Sequence, residues 1–175
     1  MRKIYVMKEF FIGIIFLGLI VIVFFGLIKF SEYNSVEPIR NLSYESNEEL
    51  KPYIDKFFRD LDNNNISYTI PQNFIVKFSD LESNKNTSHT HGMSLGYEDD
   101  DRVEIYINKR SWDSFNKTQR YYIVYHELSH DILNLDDLDD SDKNYGKIMY
   151  PYISKYDGLK MDDFIKNMKL LFETL

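Results

Sequence analysis

Cysteine is absent from this chain of 175 residues, and so is alanine. Without cysteine there can be no disulfide, thiolate metal site, cysteine nucleophile or lipid-modified cysteine. The absence does not locate the protein, because a cysteine-free chain survives in any redox compartment. Missing alanine, beside abundant Asn, Lys, Ile, Tyr and Phe, matches the codon bias of an AT-rich genome and implies no mechanism. Basic residues are in deficit too: 21 Lys and Arg face 28 Asp and Glu, for a net charge of -7. That figure averages two unlike parts. Arg2, Lys3, Lys8 and Lys29 against Glu9 give residues 1–30 a balance of +3, which leaves -10 on residues 31–175. An acidic remainder argues against a nucleic-acid or anionic-lipid partner, since neither polyanion is drawn to it. With 43% hydrophobic and 28% charged residues, the composition also argues against wholesale disorder.

One uninterrupted apolar run is present. Phe10 to Ile28 carries no charge or strong polar group and is bounded by Glu9 and Lys29. As a helix it spans roughly 28 Å, close to the thickness of a bilayer's hydrocarbon core. A domain this small cannot bury such a helix on every side. A cleaved signal peptide is the rival reading, but the apolar region is long for one and Lys-Phe-Ser-Glu-Tyr-Asn-Ser offers no small-x-small cleavage site. The expectation is therefore a retained single-pass anchor over residues 1–30. Arg2, Lys3 and Lys8 precede the span, so the amino terminus is expected in the cytoplasm and the acidic part outside it, periplasmic or extracellular.

Residues 31–45 read as a polar linker and 46–175 as one modest domain. Ser46-Asn47-Glu48-Glu49 is a capping-box pattern ahead of Leu50, Ile54, Phe57, Phe58 and Leu61, which predicts a helix over about 47–62, stopped by Asn63-Asn64-Asn65. Residues 73–79 and 102–108 read as strands, with a further strand over 93–97 turning into the second through Glu98-Asp-Asp-Asp101. Asn116-Lys-Thr-Gln119 is another capping-box start and predicts a helix over about 117–134. A last helix is expected from Met161 to Phe172, and the order of elements reads as one mixed α/β domain.

Within the 117–134 helix lies His126-Glu-Leu-Ser-His130. Positions i and i+4 share a helix face, so His126 and His130 can place two imidazoles on one metal, with Glu127 beside the metal's open position. With 4 His and 11 Glu in the chain, this pattern would arise by chance in roughly 0.6% of such sequences. Two histidines rarely make a catalytic zinc site alone, so a third ligand is needed. Glu173 is the sole glutamate after Glu127, which leaves a glutamate ligand about twenty residues on without a candidate. Instead the helix runs into Leu133-Asn134-Leu135-Asp136-Asp137, where a left-handed Asn134 would end the helix and turn a carboxylate back toward the metal.

In this segment the chain resembles the metzincin metallopeptidases, and within them the matrixins most. Their pattern H-E-x-x-H-x-x-G-x-x-H often ends Gly-Leu-Asp-His and is followed by a methionine in a tight turn. The counterparts are His126-Glu-Leu-Ser-His130-Asp-Ile-Leu-Asn134-Leu-Asp-Asp137 and Lys147-Ile-Met-Tyr-Pro151, and the likeness covers residues 116–153. Asn134 replaces glycine, and asparagine also visits the left-handed region. One additional residue separates His130 from the turn. Alignment on the turn gives Asp137 as third ligand, whereas a strict count from His126 gives Asp136; the turn sets where the side chain points, which favours Asp137. Aspartate stands for histidine, and carboxylate oxygen is an accepted zinc ligand.

The resemblance implies an α+β fold: a minimal metzincin-like zinc peptidase domain of small mixed sheet, active-site helix and C-terminal helix, here behind the transmembrane helix. It implies zinc as cofactor on His126, His130 and Asp137, Glu127 as catalytic base, and Met149 as the apolar floor of a Met-turn. Pro151, Tyr152 and Ile153 would line the pocket for the residue after the cut bond. Astacin relatives bring a tyrosine to the zinc at the place of Tyr152, although packing is the favoured role here. A protein or peptide substrate would lie antiparallel along an exposed edge strand, assigned to 102–108. The function expected is a membrane-anchored zinc metalloendopeptidase. A non-catalytic zinc or peptide-binding module of the same fold, and an anchored structural protein, are the alternatives.

Other features are assigned no chemistry. His89 and His91 sit in a polar stretch and read as exposed histidines. As a calcium site the cluster of Asp136, Asp137, Asp139, Asp140, Asp142 and Asn144 is set aside, since Gly146 is misplaced for an EF-hand and no glutamate closes it; apart from the Asp137 ligand it reads as a solvated acidic loop. Trp112 and Phe115 are expected to pack at the start of the active-site helix. A cysteine latch restraining activity is impossible.

Overall fold

The computed structural model describes residues 44–81, 90–96 and 102–175. Phe10–Ile28, residues 31–43 of the linker, His89 and the 98–101 turn lie outside them. Among the described residues no helix is long and apolar enough to cross a membrane.

Among the described residues a mixed four-stranded sheet is packed by four α-helices. The strands are β1 (Glu45–Ser46), β2 (Asn73–Ser79), β3 (Gly92–Leu95) and β4 (Arg102–Asn108), in the spatial order β1-β2-β4-β3. β1, β2 and β4 run parallel, and β3 is antiparallel to β4, with Gly92 opposite Ile107 and Leu95 opposite Glu104. Alternation along β4 explains its two faces. Val103, Ile105 and Ile107 are buried in the core, while on the other face Glu104 accepts from the Tyr106 hydroxyl at 2.6 Å and Lys77 lies over the Tyr106 ring.

β4 is thus an interior strand, not the edge strand that the sequence reading assigned to 102–108. The edge on that side of the sheet is β3. Its identity follows from pairing order, which no local pattern encodes.

The helices are α1 (Lys51–Asn63), α2 (Lys109–Ser114), α3 (Lys117–Leu133) and α4 (Met161–Phe172). α1 starts four residues later than its capping-box pattern predicts. Ser46 is taken into β1 beside Val76, and the Asn47 side chain accepts from the Phe78 amide at 2.8 Å, so neither is free to cap. Pro52 in the first turn suits the new start. Asn65, at φ 55°, ends the helix as expected. α1 buries Ile54, Phe57, Phe58 and Leu61, with Phe57 edge-on to Tyr125 of α3 at 5.1 Å. The Tyr125 hydroxyl donates to Asp60, which also holds Lys56, so the two helices are clasped by a polar contact as well. Trp112 of α2 lies against Tyr53, Phe78 and the Arg120 guanidinium near the start of α3.

α3 begins with the predicted box: Asn116 accepts from the Gln119 amide at 3.0 Å, and the Gln119 side chain accepts from the Asn116 amide at 3.1 Å. Asn116→Ala is expected to cost about 1 kcal/mol, seen as a melting-temperature drop of roughly 2–4 °C. α4 packs against α3 through Phe164, which meets Tyr121, Tyr122 and Tyr125, two of which also touch α1.

Candidate metal centre

α3 is buried along its length because the sheet, α1 and α4 surround it, and its final two turns carry His126, Glu127 and His130. Past Leu133 the chain reverses at Asn134, which adopts φ 50° and ψ 47°, and the amides of Asn134 and Leu135 both turn back to the Ser129 carbonyl. That reversal delivers Asp137 to the two histidines. Its Oδ1 stands 3.4 Å from His126 Nε2 and 3.6 Å from His130 Nε2, and the two Nε2 atoms are 3.2 Å apart. Among the described residues these two histidines and one aspartate form a group with the spacing to hold one ion. Asp136 lines the same cleft outside that group.

Backbone carbonyls fix both imidazoles. His126 Nδ1 lies 2.9 Å from the Ile148 carbonyl and His130 Nδ1 2.6 Å from the Leu135 carbonyl. A carbonyl only accepts, so each Nδ1 carries the hydrogen and each Nε2 turns a lone pair toward Asp137. In neutral rings, three electron-rich atoms so close repel one another unless a proton or a metal cation lies among them. Tetrahedral zinc ligands at 2.0–2.1 Å from the metal stand about 3.3 Å apart, which the three observed separations bracket. The donor set therefore fits zinc.

A proton can stand where the metal would: with one on His130 Nε2, that ring donates to Asp137 and holds its carboxyl below the usual carboxylate range. Burial alone would depress His130, but its bonds to Asp137 and the Leu135 carbonyl, and the charges of Glu127 and Asp137, outweigh that and raise it. His126, buried more deeply, is lowered by desolvation. Glu127 is 5% exposed, and burial pushes its carboxyl up to about 8 against the opposing effect of His130.

Comparison with protein-family models, curated proteins and solved structures gives no match. Functional reading of this chain therefore rests on its own residues.

The turn after the acidic loop supports the site from below. Met149 is buried, its carbonyl accepts from the Leu138 amide at 2.8 Å, and the neighbouring Ile148 carbonyl is the one that orients His126. One turn thus holds both a histidine and the segment bearing Asp137. Tyrosines pin it: Tyr122 donates to the Gly146 carbonyl at 2.7 Å, and Tyr156 to those of Lys147 and Tyr150 at 2.7 and 3.0 Å. The acidic loop is more anchored than its composition predicts, since Asp139 holds the buried Asn144 and Asp140 holds the Tyr150 hydroxyl.

A cleft of about 810 Å³ opens over the three groups. Pro151, Tyr152 and Ile153 line it, as do Thr90, His91, Gly92 and Ser94 at and beside β3. His91 is half-buried, not exposed as its polar neighbours suggest: its Nδ1 is 2.9 Å from the Ser111 hydroxyl and its ring meets Phe115. Gly92, Ser94 and Asp131 escaped the sequence reading. Ser94 bonds Asp131 of α3, and Gly92 abuts Glu127. Gly92 opens β3, just ahead of the strand predicted over 93–97, so the rule that a glycine within a strand marks a close approach does not single it out.

Proposed function

We propose that this chain is a zinc-dependent endopeptidase of metzincin type, held on a membrane by its amino-terminal span with its catalytic domain outside the cytoplasm. The observation that carries the catalytic reading is the convergence of two Nε2 atoms and one carboxylate oxygen at 3.2–3.6 Å, with both Nδ1 atoms committed to carbonyls. The apolar run Phe10–Ile28 and the basic residues before it support the membrane part.

Zinc on His126, His130 and Asp137 would supply Lewis-acid polarisation of a scissile carbonyl and lower the pKa of water at the site. The chain's own residues do the rest. Asp137 brings the negative charge that two neutral imidazoles lack. Glu127 lies in a dry wall of the cleft, where burial makes its carboxylate a stronger base than a solvated one. It takes a proton from the attacking water at a carboxylate oxygen and returns it to the departing amine nitrogen. No covalent intermediate is needed. The backbone of β3, at the sheet edge beside the cleft, offers the hydrogen-bonding row on which an extended peptide would pair.

The test is purification of the full chain in detergent without chelators. About one zinc per chain is expected, together with casein cleavage that a chelator abolishes and zinc restores. A zinc-free protein, or cleavage indifferent to chelation, would sink the proposal.

A further inference from the structure

We propose that Gly92 is a positioning residue for Glu127: the side chain that Gly92 lacks is the space the Glu127 carboxylate occupies. The inference rests on Glu127 being the proton acceptor, and it reaches a residue outside every motif in the sequence.

A Cβ placed on Gly92 would stand 2.3 Å from Glu127 Oε1, 2.7 Å from its Cδ and 2.8 Å from its Cγ. Non-bonded heavy atoms rest at about 3.5–4.0 Å, so one partner would have to move. Gly92 is not among the glycines at positive φ, so conformational freedom does not explain it. Space does.

The strand is the less able of the two to yield. Gly92 is paired with Ile107 in the sheet. Just before it, the His91 carbonyl accepts from the Asn108 amide at 2.8 Å, and the Thr90 carbonyl from the Asn108 side chain at 3.2 Å. Just after it, the Ser94 hydroxyl donates to Asp131, on the same helix as Glu127. β3 is therefore tied to β4 on one side and to α3 on the other. Glu127 is joined to its helix through rotatable bonds, and Gly92 and Glu127 line the same cleft. A side chain at 92 would push the carboxylate off its seat into that cleft, where peptide and water must go.

Gly92→Ala is expected to lower turnover of a casein-derived peptide on the order of 100-fold, with zinc stoichiometry and KM retained. It should also lower the melting temperature by roughly 3–10 °C. Glu127→Ala deletes all three crowded atoms, so in that background the same substitution should shift the melting temperature by less than about 2 °C. If Gly92→Ala alone does not fold, recovery of folded protein in the double variant carries the same meaning. Equal thermal losses in both backgrounds, a double variant that does not recover, or full turnover in Gly92→Ala would overturn the inference. The thermal cycle needs no activity, so a wild-type chain without Glu127-dependent cleavage would defeat the proposed function while the cycle still decided the contact.

Discussion

Glu127→Gln is expected to keep zinc at wild-type stoichiometry while lowering peptide turnover by about 10²–10⁴-fold. Glutamine has the same heavy-atom outline, so it fits the seat against Gly92 that rejects a Cβ. It places no new charge beside His126 or His130, whose orientations depend on the carbonyls of Ile148 and Leu135. What it lacks is the capacity to take a proton, and a general base that cannot accept one leaves the water unactivated. Measured against zinc content, this separates chemistry from assembly. Full residual activity would remove Glu127 from its role, and loss of zinc together with activity would recast it as a structural support for the site.

Asp137→Asn should weaken zinc binding at least 100-fold, more than loss of an outer-shell partner costs, whereas Asp136→Asn should stay near wild type. Asparagine keeps the shape of the side chain at 137 but removes the charge that faces both Nε2 atoms. The contrast is read by thermal shift. Zinc at a hundredfold over its dissociation constant stabilises the folded state by about 2.7 kcal/mol, roughly 5–10 °C for a domain of this size. That rise should vanish in Asp137→Asn at the same zinc concentration and persist in Asp136→Asn. The reverse result would give the ligand role to Asp136 and show that counting from His126 was the better guide.

Legibility in the sequence followed the range of the interaction. β2, β4, α3 and α4 lie where alternation and periodicity predict them, because each is set by patterns a few residues long. Asn116 with Gln119, and Asn134 in the left-handed region, were readable for the same reason. The start of α1 was not, because Ser46 and Asn47 have a second use in the sheet that only tertiary pairing reveals. Strand order was hidden likewise: nothing inside residues 102–108 says that β3 covers one side of that strand. At the site, spacing gave the two histidines and the turn pointed to Asp137. The acceptors at Leu135 and Ile148 were invisible because they are backbone atoms, and a carbonyl leaves no mark in a sequence.

That last point bears on how the site would withstand genetic drift. Side-chain replacements at positions 135 and 148 change nothing about the oxygen each contributes, so both imidazole tautomers are indifferent to residue identity there. Gaining or losing a residue is another matter. Between His130 and Asp137 the chain has one path that brings Leu135's oxygen to one nitrogen and Asp137's carboxylate to the other side of the same ring. The centre is therefore tolerant of spelling and intolerant of length. Across divergent versions of this chain, position 148 should change only among apolar residues, because its side chain is buried in the core, while the spacing from 130 to 137 stays fixed.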